Sequence, residues 1–473
     1  MMRKTKIVCT LGPASENEAM IEKLFKAGMN VARLNFSHGT HKAHKNTIDM
    51  FRRVRDRLGL PAAILLDTKG PEIRTCLVEN GYVELVDGQK FKFINEEKLG
   101  NSDFVSITYS GLNKLLNKGN IIKVDDGSMI LEVENVTDSE IECRVLVGGI
   151  LKDRKSINVP GVHLDMPYLS EKDKADILFG IENDVEYIAA SFVRTPQDVI
   201  EIRKFINYHG GHRVKIISKI ENSEGIQNFD DILAESNGIM VARGDMGVEV
   251  EYEKLPGLQK QFIKKCYGSG KIVITATQML ESMIRSYNPT RAEITDVANA
   301  VFDGTSAVML SGETAVGEHP DRVVEVMSSI VTQAEQDALK MNMFKENYFV
   351  SENDTANALC DAACTTARDL KAQAIITLTK SGHTARRLSK FRPYEPIVAS
   401  TPEIKTYHQL SLSWGILPVL ALSQESEDKL FRHALDCAKQ IDVVSKGDTV
   451  VILGGAPINV SGNTNMLKVM VAD

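Results

Sequence analysis

Short apolar runs alternate along the first two thirds of the chain with segments in which apolar residues recur every three or four positions. The runs are rich in Ile and Val, which is typical of strands buried on both faces. Eight occur before about residue 315: TKIVCTL, NVARLNF, AAILLD, EYIAASF, KIISKIE, GIMVARGD, KIVITAT and SAVMLSG. Segments between them, such as TPQDVIEIRKFINYH, have a helical period. Eight strands alternating with helices predict a (β/α)8 barrel, whose site lies at the carboxyl ends of the strands.

Five of these runs end in polar or charged residues. The residues concerned are Arg33, Asn35, Ser37 and His38, then Asp67 and Thr68, Lys219 and Glu221, Asp245, and Thr277 and Gln278. A buried strand should not finish in a charge unless that end opens onto a site. The five ends together therefore indicate one shared pocket.

The pair Glu221 and Asp245 offers hard oxygen ligands suited to Mg²⁺ or Mn²⁺. Lys219 lies two residues before Glu221, so both side chains occupy one face of a strand. A lysine close to two such carboxylates keeps its charge and can neutralise a transferring phosphoryl group. The alternative is a structural salt-bridge cluster, which the coincidence of five polar strand ends disfavours.

The segments RLNFSHG and DTKGPEIR carry a second group of polar residues. Arg33 offers a fork for phosphate or carboxylate, although a strand-ending arginine is often only an ion-pair partner. Asn35 and Ser37 are neutral oxygen ligands, and His38 is placed to touch a nucleotide. Arg74 stands where the pattern of the chain changes, which suits a lid closing over a second substrate.

The pattern predicts three domains. Residues 1–70 and 157–340 form the barrel, and the short alternating segments of 71–156 form an inserted all-β lid, a small β-barrel. Residues 341–473 form an open α/β sandwich of about five strands. The loop after its strand AIITLT offers backbone donors to phosphate, and it comprises Thr379, Lys380, Ser381, Gly382, His383 and Thr384. The alternative for this loop is an ordinary helix cap by Ser381 or Thr384.

Composition narrows the class of protein. The 473 residues include 56 basic and 63 acidic ones, a formal charge of −7, which disfavours a nucleic-acid or anionic-membrane surface. No run resembles a signal peptide or reaches membrane-spanning length, so we expect a soluble, cytoplasmic protein. Seven scattered cysteines without a CxxC predict neither disulfides nor structural zinc.

The motifs resemble those of the pyruvate kinase family over essentially the whole chain. They include KTKIVCTLGPAS, MNVARLNFSHG, ILLDTKGPEIR, IISKIEN, GIMVARGDMGVE, VITATQMLESM and VMLSGETA, in the family's order. The resemblance is to bacterial-type members without an extra C-terminal domain. It implies transfer of a phosphoryl group from phosphoenolpyruvate to ADP, giving pyruvate and ATP in glycolysis. It also implies a homotetramer.

The same resemblance assigns roles to particular residues. Lys219 would stabilise the transferring group, and Glu221 and Asp245 would hold Mg²⁺ (or Mn²⁺). Phosphoenolpyruvate would be bound by Arg33, Lys219, Gly244, Asp245 and Thr277, and K⁺ by Asn35, Ser37, Asp67 and Thr68. The nucleotide would be bound by Asn35, His38, Arg74 and Lys155. The enolate would be protonated through water near Thr277 and Ser311. Glu72 stands where potassium-dependent members carry glutamate, which predicts potassium dependence.

Regulation is the least determined part. Loop 379–384 matches the family's effector-phosphate loop, and GGAPINVSGNTN matches the segment that closes over the ligand. His383 replaces the Arg or Lys of many sugar-bisphosphate-activated members. The effector therefore stays open between fructose 1,6-bisphosphate, a sugar monophosphate, AMP and none. Two other hypotheses are a catalytically silent homologue acting as a metabolite sensor, and a lyase acting on phosphoenolpyruvate.

Overall fold

The computed structural model describes residues 2–343, 354–424, 426–456 and 464–473. The chain begins with three strands and two helices: β1 (Lys6–Thr10), α1 (Glu18–Ala27), β2 (Val31–Asn35), α2 (His41–Leu58) and β3 (Ala63–Asp67). Nine short strands follow without an α-helix: β4 (Ile73–Arg74), β5 (Tyr82–Leu85), β6 (Lys90–Ile94), β7 (Phe104–Ser106), β8 (Ile121–Val124), β9 (Met129–Val136), β10 (Glu140–Val147), β11 (Gly149–Lys152) and β12 (Ser156–Asn158).

Strands and helices then alternate again. The central part contains α3 (Glu171–Glu182), β13 (Tyr187–Ala190), α4 (Pro196–Tyr208), β14 (Lys215–Ile220), α5 (Ser223–Gln227), α6 (Phe229–Glu235), β15 (Gly238–Ala242), α7 (Arg243–Glu249), α8 (Leu255–Gly268), β16 (Ile272–Ala276), α9 (Arg291–Phe302), β17 (Ala307–Leu310), α10 (Gly312–Ala315) and α11 (Pro320–Lys340). The last part contains α12 (Thr355–Asp369), β18 (Ala374–Leu378), α13 (His383–Lys390), β19 (Ile397–Thr401), α14 (Ile404–Gln409), β20 (Ile416–Leu420), α15 (Glu427–Gln440), β21 (Thr449–Gly454) and β22 (Met466–Val471).

The predicted barrel is confirmed. Strands β1–β3 and β13–β17 close into a parallel barrel in the order β1-β17-β16-β15-β14-β13-β3-β2, and they correspond to the eight predicted runs. Its interior is filled by side chains such as Val8, Leu65, Tyr187 and Met240. A second apolar layer packs the strands against the surrounding helices. Both faces of each strand are buried in apolar surroundings. Polar side chains at the carboxyl ends of the strands therefore lie at the mouth of the barrel.

The inserted lid is a small closed β-structure, as predicted. Its seven-stranded sheet has the order β4-β12-β8-β9-β10-β6-β7, with β11 and β5 paired separately. A bridge between Thr75 and Ile107 and a hydrogen bond from Cys76 N to Ser106 O (2.8 Å) join the two edge strands. Alternate residues of its strands point into the lid's own core around Phe91 and Phe93.

The C-terminal sheet has five strands in the order β20-β19-β18-β21-β22, with β22 antiparallel to its neighbour. Residues of α15 cover one face of the sheet, and residues of α12 and α13 cover the other. Contacts to the barrel include Tyr187 Oη to Gln409 O at 2.6 Å and Lys6 Nζ to Ile416 O at 2.8 Å. Both barrel residues begin their strands. The C-terminal part therefore covers the amino ends of the barrel strands, opposite the predicted site.

The limits predicted for the three domains, 1–70 with 157–340, 71–156 and 341–473, stay predictions. In the part of the chain that the structure describes, we find no helix that is long and apolar enough to cross a membrane.

Candidate active site

Asp67 contacts two of the other polar residues at the strand ends. It is fully buried at the end of β3, directly level with Asn35 of β2. Its Oδ2 accepts a hydrogen bond from Arg33 Nε at 2.6 Å, and its Oδ1 accepts one from Lys219 Nζ at 3.1 Å. Burial on its own raises the pKa of Asp67, but Lys219 and Arg33 outweigh it and hold the pKa below its ordinary value. Asp67 is therefore an anion that fixes two cations at the barrel mouth.

Lys219 is surrounded by oxygen atoms. Its Nζ lies 2.9 Å from Glu221 Oε1 and 2.8 Å from Ser191 Oγ, in addition to its contact with Asp67. Burial lowers the pKa of Lys219, but the charges of Asp67 and Glu221 outweigh burial and raise the pKa above its ordinary value. The ammonium group thus stays charged in a site from which water is largely excluded, where it acts strongly on a nearby phosphoryl group.

Glu221 and Asp245 supply the predicted pair of carboxylates. Burial raises the pKa of Glu221 to about 7; Lys219 opposes this shift and the charge of Asp245 adds to it. Two carboxylates that repel each other in a buried site form a donor set that fits a divalent cation. Across residues 2–343 and the later described segments, no three His, Cys, Asp or Glu side chains cluster as a ready-made metal centre. A Mg²⁺ ion at this point would complete its shell with substrate oxygens or water, which is its usual behaviour.

Thr277 lies beyond β16 in a strained backbone conformation. Its φ is +69° and that of Gln278 is +54°, in the left-handed region that non-glycine residues rarely adopt. Thr277 Oγ1 accepts a hydrogen bond from Gly244 N at 2.8 Å. Arg243 Nη2 donates to Thr277 O at 2.7 Å. The start of α7 therefore holds Thr277 from two sides and brings Gly244 and Asp245 next to it.

The residues assigned to K⁺ lie together at the ends of β2 and β3. Asn35 Oδ1 accepts from Ser37 N at 3.1 Å, and Thr68 Oγ1 accepts from Ser191 N at 3.2 Å. The latter bond ties the end of β3 to the residue that follows β13. Asn35 is level with Asp67 in the strand register, and Thr68 directly follows Asp67 in the chain.

The residues assigned to the nucleotide are divided between the barrel and the lid. Thr75, which follows Arg74, donates its N–H to Lys155 O at 2.8 Å, so the backbones of Arg74 and Lys155 are close to each other at the base of the lid. Arg74 makes a two-point contact with Glu72, with both distances at 2.8 Å. Lys155 Nζ lies 2.8 Å from Asp125. His38 is exposed on the loop after β2.

A cavity of about 260 Å³ separates the lid from the barrel. Asp126, Ser156 and Asn158 line it from the lid, and Asp245 and Glu249 line it from the barrel. Its lining does not include Lys219 or Arg33, because their partners bury them at the barrel mouth. Asn158 Nδ2 donates to Glu249 Oε1 at 3.1 Å, a direct contact between lid and barrel. The cleft is accordingly bounded by the Asp245 edge of the barrel mouth and by the lid.

Sequence reasoning missed three residues of the site. Ser191, directly after β13, donates from Oγ to Thr68 O at 2.6 Å and contacts Lys219. Arg243 precedes the predicted Asp245. Glu313 is fully buried and accepts from Ser311 N at 2.7 Å and from Leu280 N at 3.2 Å, so it joins the loops that follow β17 and β16. Ser191 and Arg243 are among the last residues of predicted strand runs, and Glu313 directly follows one. Position relative to the strand end was therefore the clue available.

The predicted effector loop connects β18 to α13. Neither Ser381 nor Thr384 caps the helix: Gly382 occupies the cap position with φ +77°, and its N–H donates to Thr379 Oγ1 at 3.0 Å. Thr384 Oγ1 lies 2.6 Å from Thr464 Oγ1. Partial burial of the His383 side chain, together with the positive charges of Arg386 and Lys215, lowers its pKa. Most of the predicted closing segment, residues 457–463 of GGAPINVSGNTN, lies outside the described residues.

The fold and this site define a (β/α)8-barrel protein with a lid and with a buried, charged lysine beside carboxylates at the barrel mouth. Residues 2–324 match the model of the pyruvate kinase barrel domain, and residues 357–470 match that of the pyruvate kinase alpha/beta domain. The chain is 46% identical over 473 residues to a pyruvate kinase of Clostridium acetobutylicum, covering all of both chains. It is 48% identical over 469 residues to one of Staphylococcus haemolyticus and 47% over 470 residues to one of Staphylococcus aureus; each match covers 99% of this chain and 80% of the relative. The chain belongs to the pyruvate kinase family, a family of phosphotransferase enzymes.

Proposed function

We propose that the chain transfers the phosphoryl group of phosphoenolpyruvate to ADP in the cytoplasm. A β-phosphate oxygen of ADP attacks phosphorus, the bond from phosphorus to the enol oxygen breaks, and the enolate takes one proton at carbon to give pyruvate beside ATP. The observation that carries this proposal is Lys219, a buried ammonium held charged between Asp67 and Glu221. Such a cation stabilises the charge on the transferring group.

Substrate positioning follows from the same network. Arg33 presents its guanidinium beside Lys219, since both contact Asp67, and the pair can grip the phosphoryl end of phosphoenolpyruvate. Gly244, Asp245 and Thr277 bind its other end. Glu221 and Asp245 hold Mg²⁺ (or Mn²⁺), which supplies positive charge and orients oxygen ligands. Thr277 and Ser311 hold the water that passes a proton to the enolate.

Asn35, Ser37, Asp67 and Thr68 hold K⁺ in this proposal. Glu72 is acidic and pairs with Arg74, so position 72 supplies no positive charge to the site. A monovalent cation is therefore needed to balance the charge of the substrate phosphates. Activity should therefore fall strongly when K⁺ is replaced by a large organic cation at equal ionic strength. Unchanged activity would contradict this part of the proposal.

The nucleotide is bound between the barrel and the lid. His38 and Asn35 approach it from the barrel, and Arg74 and Lys155 approach it from the base of the lid. Arg74 and Lys155 are cations that suit the polyphosphate of ADP, which would compete for them with Glu72 and Asp125. Closure of the lid over the cavity would bring them toward the barrel mouth and exclude water.

A coupled assay for pyruvate, with phosphoenolpyruvate, ADP, Mg²⁺ and K⁺, tests the reaction. Omission of ADP should abolish pyruvate formation, which separates a kinase from a lyase. Lys219→Met should lower kcat by a factor of about 10³ or more, because it removes the cation that stabilises the transition state. Lys23→Met, at a surface ion pair with Asp321, is the matched control and should keep full activity. A Lys219→Met variant with near-normal kcat would refute the assigned role.

Regulation forms a further part of the proposal. Loop 379–384 binds the phosphate of an effector metabolite, and the enzyme works as a homotetramer. The left-handed Gly382 supports the loop assignment, because it turns the chain at the start of α13 without a side-chain cap. Thermal-shift titration with phosphorylated metabolites and light scattering are the tests. No shift with any compound, or a monomer in solution, would count against this part.

A further inference from the structure

A cleft lies between the C-terminal part and the amino end of the barrel, on the side away from the active site. Its volume is about 230 Å³. The connection into β14 and the start of that strand provide one wall, and α14 with loop 379–384 provides the other. The lining residues are His212, Arg213, Lys215, Lys380, Ser381, Glu403, Thr406 and Gln409.

The cleft contains more positive charge than its surroundings balance. Arg213 pairs with Glu403 at 3.0 Å. Lys215 is half-buried, and neither its ammonium group nor that of Lys380 has a hydrogen-bond or ion-pair partner in the described part of the chain. Arg386 lies behind the loop and donates to Ser381 O at 2.6 Å. Glu403 is the one carboxylate among the described lining residues, and Arg213 already pairs with it. The ammonium groups of Lys215 and Lys380 are therefore left without a compensating anion.

The pKa of Lys215 reflects the same excess of positive charge. Burial lowers the pKa of Lys215 to about 8, and the charges of Arg386, Arg203 and Arg213 lower it further in the same direction. Every charged neighbour that acts on Lys215 is therefore repulsive. A half-buried ammonium that no protein group compensates is costly to keep, and an external anion is the simplest compensation.

We propose that this cleft binds a small phosphate dianion, either inorganic phosphate or a phosphate monoester. Arg213 offers a planar fork, and Lys215 and Lys380 offer point charges, a combination suited to tetrahedral oxyanions. The volume accommodates a phosphate with a short ester group. The cleft shares Lys380 and Ser381 with the effector loop suggested above, but it takes Arg213 and Lys215 from the barrel, and Thr384 does not line it. Variants at Arg213 and at Thr384 therefore separate the two proposals.

An anion in this cleft would connect two bodies that already touch at its edges. Thr406 Oγ1 donates to Lys380 O at 2.7 Å, and Gln409 Nε2 donates to Arg213 O at 2.7 Å. Lys215 is the first residue of β14, and Lys219 lies toward the other end of the same strand. Binding here would therefore restrain the strand that carries the proposed catalytic lysine and fix the C-terminal part against it.

Residue-resolved labelling tests the proposal on the full-length protein. An amine-acylating reagent is applied at fixed ionic strength in chloride, inorganic phosphate, sulfate or β-glycerophosphate, and each lysine is quantified by mass spectrometry. Phosphate should slow the labelling of Lys215 saturably, by about tenfold, the equivalent of one charged hydrogen bond. Lys204, exposed on α4, is the internal control and should not change. Protection by β-glycerophosphate would show that an ester fits; protection by inorganic phosphate alone would identify the free ion.

Three variants locate the anion. Arg213→Gln should abolish the protection of Lys215, and Thr384→Val should leave it intact. Lys215→Gln should unfold at an equal or higher temperature than the parent in chloride, because it removes a repelled charge. The proposal is overturned if no anion protects Lys215, or if Lys204 is protected equally. It is also overturned if Thr384→Val abolishes the effect, which would place the ion at the effector loop, or if Lys215→Gln lowers the unfolding temperature, which would make Lys215 a structural residue.

Discussion

All three guanidinium nitrogens of Arg243 have partners, and one of these partners is the strained backbone of Thr277. Nη2 donates to Thr277 O at 2.7 Å, Nε donates to Ala276 O at 3.3 Å, and Nη1 pairs with Asp296 at 2.7 Å. The guanidinium is almost fully buried, whereas the carboxylate of Asp296 is 36% exposed. Replacing Arg243 by methionine keeps an apolar stem of similar length and removes these contacts together.

The magnitudes predict a large loss of catalysis and a small loss of stability. Hydrogen bonds from the guanidinium to the two carbonyls are worth about 1.5–3 kcal/mol each, and the half-exposed pair with Asp296 adds at most about 1 kcal/mol. The left-handed conformations of Thr277 and Gln278 cost about 1–2 kcal/mol each. Release of that strain in Arg243→Met offsets most of the lost bonds, so the free energy of unfolding should fall by only about 1–3 kcal/mol. Relaxation would displace Thr277, and a misplacement of about 1 Å lowers kcat by about 100-fold.

The assay is steady-state kinetics of pyruvate formation together with denaturant unfolding. Arg203→Met is the matched control, since Arg203 donates to Glu235 O at 3.3 Å and to Asn237 Oδ1 at 3.0 Å near the amino end of β15. This control should lose a similar amount of stability and keep its kcat. If Arg243→Met keeps kcat within about threefold of the parent, or if Arg203→Met loses as much activity, then Arg243 does not position Thr277.

Three further outcomes are expected. Burial raises the pKa of Glu221 in the folded protein from its ordinary value of 4.5 to about 7, so metal-free protein should lose stability as pH rises through this range; Glu221→Gln should flatten this dependence in denaturant titrations, and an unchanged slope would assign it to another group. Asn158→Ala removes the lid contact with Glu249 and should raise KM for ADP by about tenfold with little change in the KM for phosphoenolpyruvate; equal changes in both constants would contradict a lid-specific role. At Gly382 an added Cβ would lie 2.6 Å from a nitrogen of Arg386, whereas Gly447 has a similar left-handed φ in open space. Gly382→Ala should therefore lower the free energy of unfolding by about 1 kcal/mol more than Gly447→Ala does. Equal losses would show that only backbone strain matters.

The barrel could be predicted from the sequence because its defining property is local. A parallel strand buried on both faces must be apolar along its length, so the runs from TKIVCTL to SAVMLSG identified all eight strands. In the lid, by contrast, β4, β11 and β12 were not predicted. Strands of two to four residues are too short to show an alternating period, and their pairing is decided by contacts distant in the chain.

The site could be predicted only where a residue was anomalous for its position. Lys219 and Asp67 were found because a charge at the end of an apolar run needs an explanation. Ser191 occupies the same position after β13, but a small hydroxyl residue is unremarkable there, so its contact with Lys219 appears only in three dimensions. The capping of α13 was equally hidden, because it depends on the φ of Gly382 and not on a side chain.

The arrangement around Asp67 has a consequence for the order in which the proposed ligands bind. A carboxylate offers about four lone-pair positions, and Arg33 and Lys219 already use two of them. A phosphoryl group placed between Arg33 and Lys219 would draw both cations toward itself and leave Asp67 with oxygen positions to spare. Asp67 would then be available as a ligand for a monovalent cation beside Asn35 and Thr68, because the substrate has drawn Arg33 and Lys219 away from it. Because coupling between two ligands is reciprocal, the cation must strengthen substrate binding to the same degree, so the shared carboxylate by itself makes the two events cooperative.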